Sequence, residues 1–206
     1  MRKLFLLRGA PGSGKSSFIA RHHLTPYAIS RDQIRLLLAD LTVYYQEDAD
    51  VLHQVIPRHV TVRTEQMVDH LVEHKMEHGE TVIVDGTHIV PSAIEHFKPW
   101  VEKYHYECFV VDLMQHNTLE NLLKRNQTRM HYDWVKPEVV KQMYRSYEAH
   151  PEVPYWAHKI VPNQMEHALS QKESNLDRYS HVIAIPDKVD EKDFLVLLNC
   201  WFLFHL

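Results

Sequence analysis

Five glycines serve the whole 206-residue chain. Three of them fall in Gly9-Ala10-Pro11-Gly12-Ser13-Gly14-Lys15-Ser16, directly after the apolar run Leu4-Phe5-Leu6-Leu7. Glycine concentrated in this way marks a backbone that turns its N–H groups inward around an anion, free of side-chain obstruction. The spacing G-x-x-x-x-G-K-[ST] assigns the parts. The backbone from Gly9 through Ser17 and the Lys15 ammonium face nucleotide phosphates, and the Ser16 hydroxyl faces Mg²⁺. The helical pattern opening near Lys15 adds the positive end of its dipole. Strand, loop and helix in this order predict a phosphate-binding loop at the edge of an α/β sheet.

The remaining pattern extends that sheet. Strand-like runs at about 3–8, 27–30, 80–85, 105–112 and 180–185 alternate with helical stretches. The near-continuous apolar run Thr81-Val82-Ile83-Val84 is typical of a strand covered on both faces. The expectation is an α/β fold: a parallel five-stranded sheet of P-loop kinase type, helices on both faces and a helical lid at about 126–136. Ligands of such sheets lie beyond the carboxyl ends of the strands. Pro151, Pro154 and Pro162 break the helical pattern after residue 150. Residues 1–150 are therefore expected to form the main domain, and 151–206 to complete the fold with a last strand and an apolar helix.

Composition narrows the partners. The formal net charge is −4, so the chain is no generally basic nucleic-acid binder. Its charge is nevertheless uneven: residues 1–35 carry seven Lys/Arg against one acidic residue, and 121–145 carry six against two. That focuses positive potential on the loop and on one later helix, as expected where polyanions meet a single cleft. Two cysteines, Cys108 and Cys200, are too few for a disulfide framework, and the N-terminus runs straight into a strand without a signal-peptide pattern; a cytoplasmic protein is expected. The apolar stretch 194–206 is shorter than the ~20 residues of a membrane-spanning helix. It is expected to pack on the sheet, or to be covered by a second subunit in a homo-oligomer or by a further domain. His70, His74 and His78 have i, i+4 spacing, but Val60, Thr64, Met67, Val68, Leu71 and Val72 mark the buried face of that helix, so these imidazoles are placed toward solvent rather than in a metal site.

Residues just after each strand carry the candidate chemistry. In Ser30-Arg31-Asp32-Gln33-Ile34-Arg35, Ser30 and Gln33 read as a capping box, which starts a helix at Arg31 and sets Asp32 and Arg35 on one face. Asp32 then serves either as a general base toward an acceptor hydroxyl or as a plain complement to the helix dipole; Arg35 serves as a clamp on acceptor phosphate. Asp85 ends the third strand before Gly86-Thr87-His88, where a carboxylate serves the Mg²⁺ shell or caps the next turn. In the helix near 118–129, Leu119, Leu122 and Leu123 face the core and leave Arg125 and Arg129 on one exposed edge, suited to neutralising a moving phosphoryl group. Pro137 opens another helix, so 126–136 reads as a connector able to close as a lid. Tyr132 and Trp134 within it stack on a base or pin the lid by packing. Asp48-Ala49-Asp50 follows no buried strand and is not read as a phosphatase pair.

Taken together these blocks resemble the kinase domain of the 5′-hydroxyl polynucleotide kinases of phage and bacterial end healing. The matching stretches are Gly9–Ser17, Ser30–Arg35, Val84–His88, Leu123–Arg129 and Pro137–Ser146, so the resemblance covers about residues 1–150. It implies ATP and Mg²⁺ as cofactors and 5′-OH DNA or RNA ends as partners. It implies Asp32 as the base for the 5′-hydroxyl and Arg35 on the acceptor's 3′-phosphate. Asp85, with Thr87 and His88 beside it, would support acceptor and metal, and Arg129 would act on the donor phosphates together with Lys15. His88 stands where the family usually has asparagine, as does Ser30. Two other readings share the loop: a kinase of a sugar, nucleoside or antibiotic, and a nucleotide-gated binding module.

Overall fold

A computed structural model of the chain describes residues 2–46, 51–56, 58–129, 134–162 and 164–165. The chain divides into two units, residues 1–168 and 169–206, and the described residues belong to the first. The strand expected at 180–185 and the apolar stretch 194–206 lie outside the described residues.

Strand β1 (Lys3–Arg8) is buried along its whole length. It is the centre of a five-stranded parallel sheet of order β2-β5-β1-β6-β7, with β2 Ala28–Ser30, β5 Val82–Asp85, β6 Glu107–Asp112 and β7 Ala157–Ile160. Leu4, Leu6, Val82, Val84, Cys108 and Val110 form one core face with Val68, Val72 and Met76 of helix α3 (Thr61–Glu77) and Val101 of helix α5 (Lys98–Tyr104). A second core gathers Ala10, Ile89, Met114, Leu122 and Val140, joining helices α6 (Leu119–Gln127) and α7 (Pro137–Ala149). The other helices of the described residues are α1 (Lys15–Arg21), α2 (Arg31–Leu38) and α4 (Pro91–Glu95).

Three features differ from the sequence-based expectation. The fifth strand of the described sheet is β7, inside the proline-rich stretch, where the sequence pattern marks no strand. It is an edge strand with only Ala157 buried, too short to carry a periodic signal. Next, Thr42–Gln46 (β3) and Val51–Val55 (β4) pair as an antiparallel hairpin between α2 and α3. Finally, α3 buries Thr64, Val68, Val72 and Met76 only, a strict four-residue stripe, which leaves Met67 and Leu71 each 37% exposed. His70, His74 and His78 do lie on its exposed side. Among the described residues no helix is long and apolar enough to cross a membrane.

The carboxyl edge of the sheet is locked by buried charge. Arg8 and Asp112 are register partners on β1 and β6, and both side chains are fully buried, 3.8 Å apart. Asp112 also accepts from Met114 N (2.8 Å) and the Tyr147 hydroxyl (3.1 Å) and lies 3.4 Å from Lys159 Nζ. Arg8 donates to the carbonyls of Ile89, His150 and Pro151 and sits over the Tyr147 ring. One carboxylate and one guanidinium thereby tie α7 and the connection to β7 to the strand that delivers the phosphate loop.

Candidate active site

The glycines of the loop each have a physical reason. Gly12 and Gly14 adopt φ of 83° and 98°, a region that costs an L-residue roughly 1–2 kcal/mol. A Cβ on Gly12 would also lie 2.7 Å from the Leu122 carbonyl oxygen, and one on Gly9 would overlap the Ser13 hydroxyl. Gly12→Ala is therefore expected to push α6 from the loop and to destabilise the fold by roughly 2 kcal/mol or more. Urea unfolding beside a nucleotide-binding titration checks this, and nucleotide affinity should fall in parallel.

Lys15 Nζ donates to the carbonyls of Gly9 (2.7 Å) and Ala10 (3.2 Å). Gly9 N donates to Thr87 O at 2.9 Å, which fastens the loop to the segment after β5. Burial lowers the Lys15 pKa, with Asp85 opposing the shift. Burial likewise raises the Asp85 pKa, with Lys15 pulling it back. These two groups, with Asp32 and Arg129, lie within electrostatic reach of each other.

The N-cap half of the expected capping box forms: Ser30 Oγ accepts from Gln33 N at 3.4 Å and α2 starts at Arg31. The Asp32 carboxylate is 58% exposed and pairs with Arg35 Nη1 at 2.8 Å. Arg35 Nε is buried with no hydrogen-bond partner among the described residues. A cleft of about 1080 Å³ is lined by Pro11, Lys15 and Ser16 of the loop, by Asp32 and Arg35, by Asp85 and Thr87, and by Arg129. Phosphate loop and acid/guanidinium pair therefore share one opening. Ser17 is exposed on α1 and does not line it. Arg125 stands outside as well: its Nη1 donates to Gly12 O (3.3 Å) and Asn117 Oδ1 (2.7 Å), bracing the loop from its outer side.

His88 reaches the cleft as a buried group, 1% exposed. Its Nδ1 lies 2.7 Å from Leu7 O, so Nδ1 carries the proton and Nε2 accepts from Arg31 Nη1 at 3.2 Å. Burial, reinforced by Arg31, lowers its pKa from 6.5 to about 3. A folded-state pKa below the unfolded one means that the unfolded chain binds the extra proton first. The stability from neutral His88 is thus complete above pH 6.5 and is lost progressively as the pH falls toward 3. On going from pH 7 to pH 5 the stability difference between wild type and His88→Asn should shrink by about 2 kcal/mol, measured by urea unfolding at each pH.

The hairpin and Arg58 are parts of the site that the sequence pattern does not mark. Thr42, Tyr44 and Val55 line the cleft, as do Arg58, Trp134 and Lys136. Tyr44 stacks on Trp134 (centroids 5.9 Å apart), with Lys136 Nζ 3.8 Å from the Tyr44 ring centroid. The reading of Trp134 as a packing residue thus has a partner in β3, while Tyr132 lies outside the described residues. Asn126 is buried and uses its side chain as a backbone mimic, donating to Val135 O (2.6 Å) and accepting from Val135 N (3.2 Å). The β-branched and aromatic run Thr42-Val43-Tyr44-Tyr45 was the available signal for the hairpin.

Solved structures of the same fold include a chain of the Pnkp1/Rnl/Hen1 RNA repair complex, 21% identical with a TM-score of 0.55. The match covers 71% of this chain and 44% of that one, so the chain spans less than half of that relative's length. A protein assigned as a kinase from Chloroflexus aurantiacus is 13% identical with a TM-score of 0.57, covering 82% of this chain and 97% of that one. A gluconokinase from Sinorhizobium meliloti 1021 is 13% identical with a TM-score of 0.47, over 87% and 98%. No curated protein sequence matches. The parallel sheet of order β2-β5-β1-β6-β7 and the glycine-built loop before Lys15 are those of a P-loop kinase fold. The family comparison spans both, matching residues 4–150, and by it the chain belongs to the AAA domain family, AAA_33.

Proposed function

We propose that the protein transfers the γ-phosphate of ATP to the 5′-hydroxyl end of a DNA or RNA strand. The observation that carries this reading is the shared cleft, in which an exposed carboxylate already paired with an arginine faces the phosphate loop. Asp32 takes the proton of the 5′-hydroxyl as its oxygen bonds to the γ-phosphorus. The bond from that phosphorus to the bridging oxygen breaks, and ADP leaves with the electron pair. Arg35 orients the acceptor through its phosphate, and its unpartnered Nε is the kind of buried donor that an anion satisfies. Lys15 and Arg129 neutralise charge that develops on the phosphate oxygens.

Mg²⁺, when bound, supplies further charge neutralisation on the donor phosphates. The Ser16 hydroxyl and the Asp85 carboxylate fit it, being hard oxygen donors at the rim of the same cradle. The cleft is wide, with Arg35, Arg58, Arg129 and Lys136 around it, which suits a polyanionic acceptor better than a neutral sugar. One structure of this fold belongs to an RNA repair complex, and end repair is the setting proposed for this chain. The test is Arg35→Ala assayed on a nucleoside 3′-monophosphate and on the bare nucleoside. Efficiency on the phosphorylated acceptor should drop by roughly 10–100-fold, with a much smaller drop on the nucleoside. Equal losses on both would favour a small-metabolite kinase.

A further inference from the structure

We propose that Arg31 is a second acceptor-phosphate contact beside Arg35, held at the cleft by His88, Glu65 and the bare backbone of Gly86. The inference rests on the polynucleotide kinase reading and adds a residue for which neither the motif nor the resemblance supplies a role. Arg31 and Arg35 are four residues apart on α2, so both guanidinium groups rise from one helix face, and both line the cleft.

Three independent features fix Arg31 there. Its Nε lies 3.0 Å from both Glu65 oxygens. Its Nη1 donates to His88 Nε2, which is free to accept only because Leu7 O holds the ring proton on Nδ1. Gly86 supplies the space: a Cβ there would overlap Arg31 Nη1, although Gly86 itself has no positive φ that demands glycine. Nη2 has no hydrogen-bond partner among the described residues, and the side chain stays 18% exposed. An arginine that merely tied α2 to α3 would need Glu65 alone. Here an uncharged imidazole grips a second edge, and Arg31 still lines the cleft along with Asp85 and Thr87. A planar guanidinium fixed on two sides meets a phosphate with little rotamer entropy left to lose. The histidine in place of the family's usual asparagine is thereby a positioning residue acting through Arg31.

The experiment measures KM and kcat for wild type, Arg31→Ala, His88→Leu and Gly86→Ala on a nucleoside, its 3′-monophosphate and a 5′-hydroxyl oligonucleotide, with thermal melting of each variant. Arg31→Ala should raise KM about tenfold or more on the two phosphate-bearing acceptors and far less on the nucleoside, with KM for ATP held within about twofold. Gly86→Ala keeps the guanidinium but displaces it, and should shift the phosphate-to-nucleoside KM ratio in the same direction by a smaller factor. His88→Leu should do likewise. Should the ratio stay at the wild-type value in Arg31→Ala and Gly86→Ala while melting falls, Arg31 is a structural tie and the proposal is overturned. A wild-type protein inert on every nucleotide acceptor overturns the parent reading and this one together, whereas an active wild type with an unchanged ratio overturns this one alone.

Discussion

Asp32→Asn is expected to lower turnover by roughly 10²–10⁴-fold while ATP binding stays intact. Asparagine preserves the size of the side chain and the hydrogen bond to Arg35, so α2 and its cap are unchanged; only the ability to take a proton is lost. The side chain is 58% exposed, so its replacement leaves no buried charge stranded and stability should move by less than about 0.5 kcal/mol. A nucleotide-gated binding module would show a different pattern, with ATP binding and slow hydrolysis both near wild type. The measurement is single-turnover transfer beside a nucleotide-binding titration. Loss of transfer with binding retained assigns Asp32 to the chemistry.

Asp112→Ala is expected to lower stability by about 3–5 kcal/mol, because it strands a buried guanidinium without its counter-charge. Arg8 is fully buried and already desolvated enough to lower its pKa. The Tyr147 phenol, pushed up to about 12 by burial and by Asp112, loses its acceptor in the same step. The double variant Arg8→Met with Asp112→Leu should recover a large part of that loss, since a well-packed apolar pair replaces an ion pair with small net change. Urea unfolding of the single and double variants reads both effects. A single variant within about 1 kcal/mol of wild type would mean that the Ile89, His150 and Pro151 carbonyls suffice to hold Arg8.

The parts of the site readable in the sequence are those whose cause is local. Gly9, Gly12 and Gly14 are demanded by backbone angles and by contacts next to the loop, and Ser30 with Gln33 fixes where α2 begins. The end of β5 at Asp85 follows from an apolar run stopping at a carboxylate. What was not readable depends on long-range partners. Nothing local marks Arg8 as buried, because its counter-charge lies on β6 and its carbonyl acceptors more than 80 residues away. The neutrality of His88 likewise depends on burial and on Arg31, 57 residues distant, and its tautomer on Leu7 O, 81 residues distant. The hairpin escaped notice because Val43, Tyr45 and Leu52 are exposed at 49–68%, so neither strand shows an apolar–polar alternation. Strand β7 carries little local signal, since it is an edge strand of four residues with only Ala157 buried. Arg125 and Arg129 look equivalent at i, i+4, yet the first braces Gly12 from outside and only the second lines the cleft.

The most direct measurement follows the labelled γ-phosphate. The protein is incubated with γ-labelled ATP, Mg²⁺ and a 5′-hydroxyl oligonucleotide, beside its 5′-phosphorylated twin and a panel of sugars and nucleosides. Label should appear on the 5′-hydroxyl oligonucleotide and be absent from the twin. Label on a sugar with none on the oligonucleotide would contradict the account, as would release of inorganic phosphate without transfer to any acceptor.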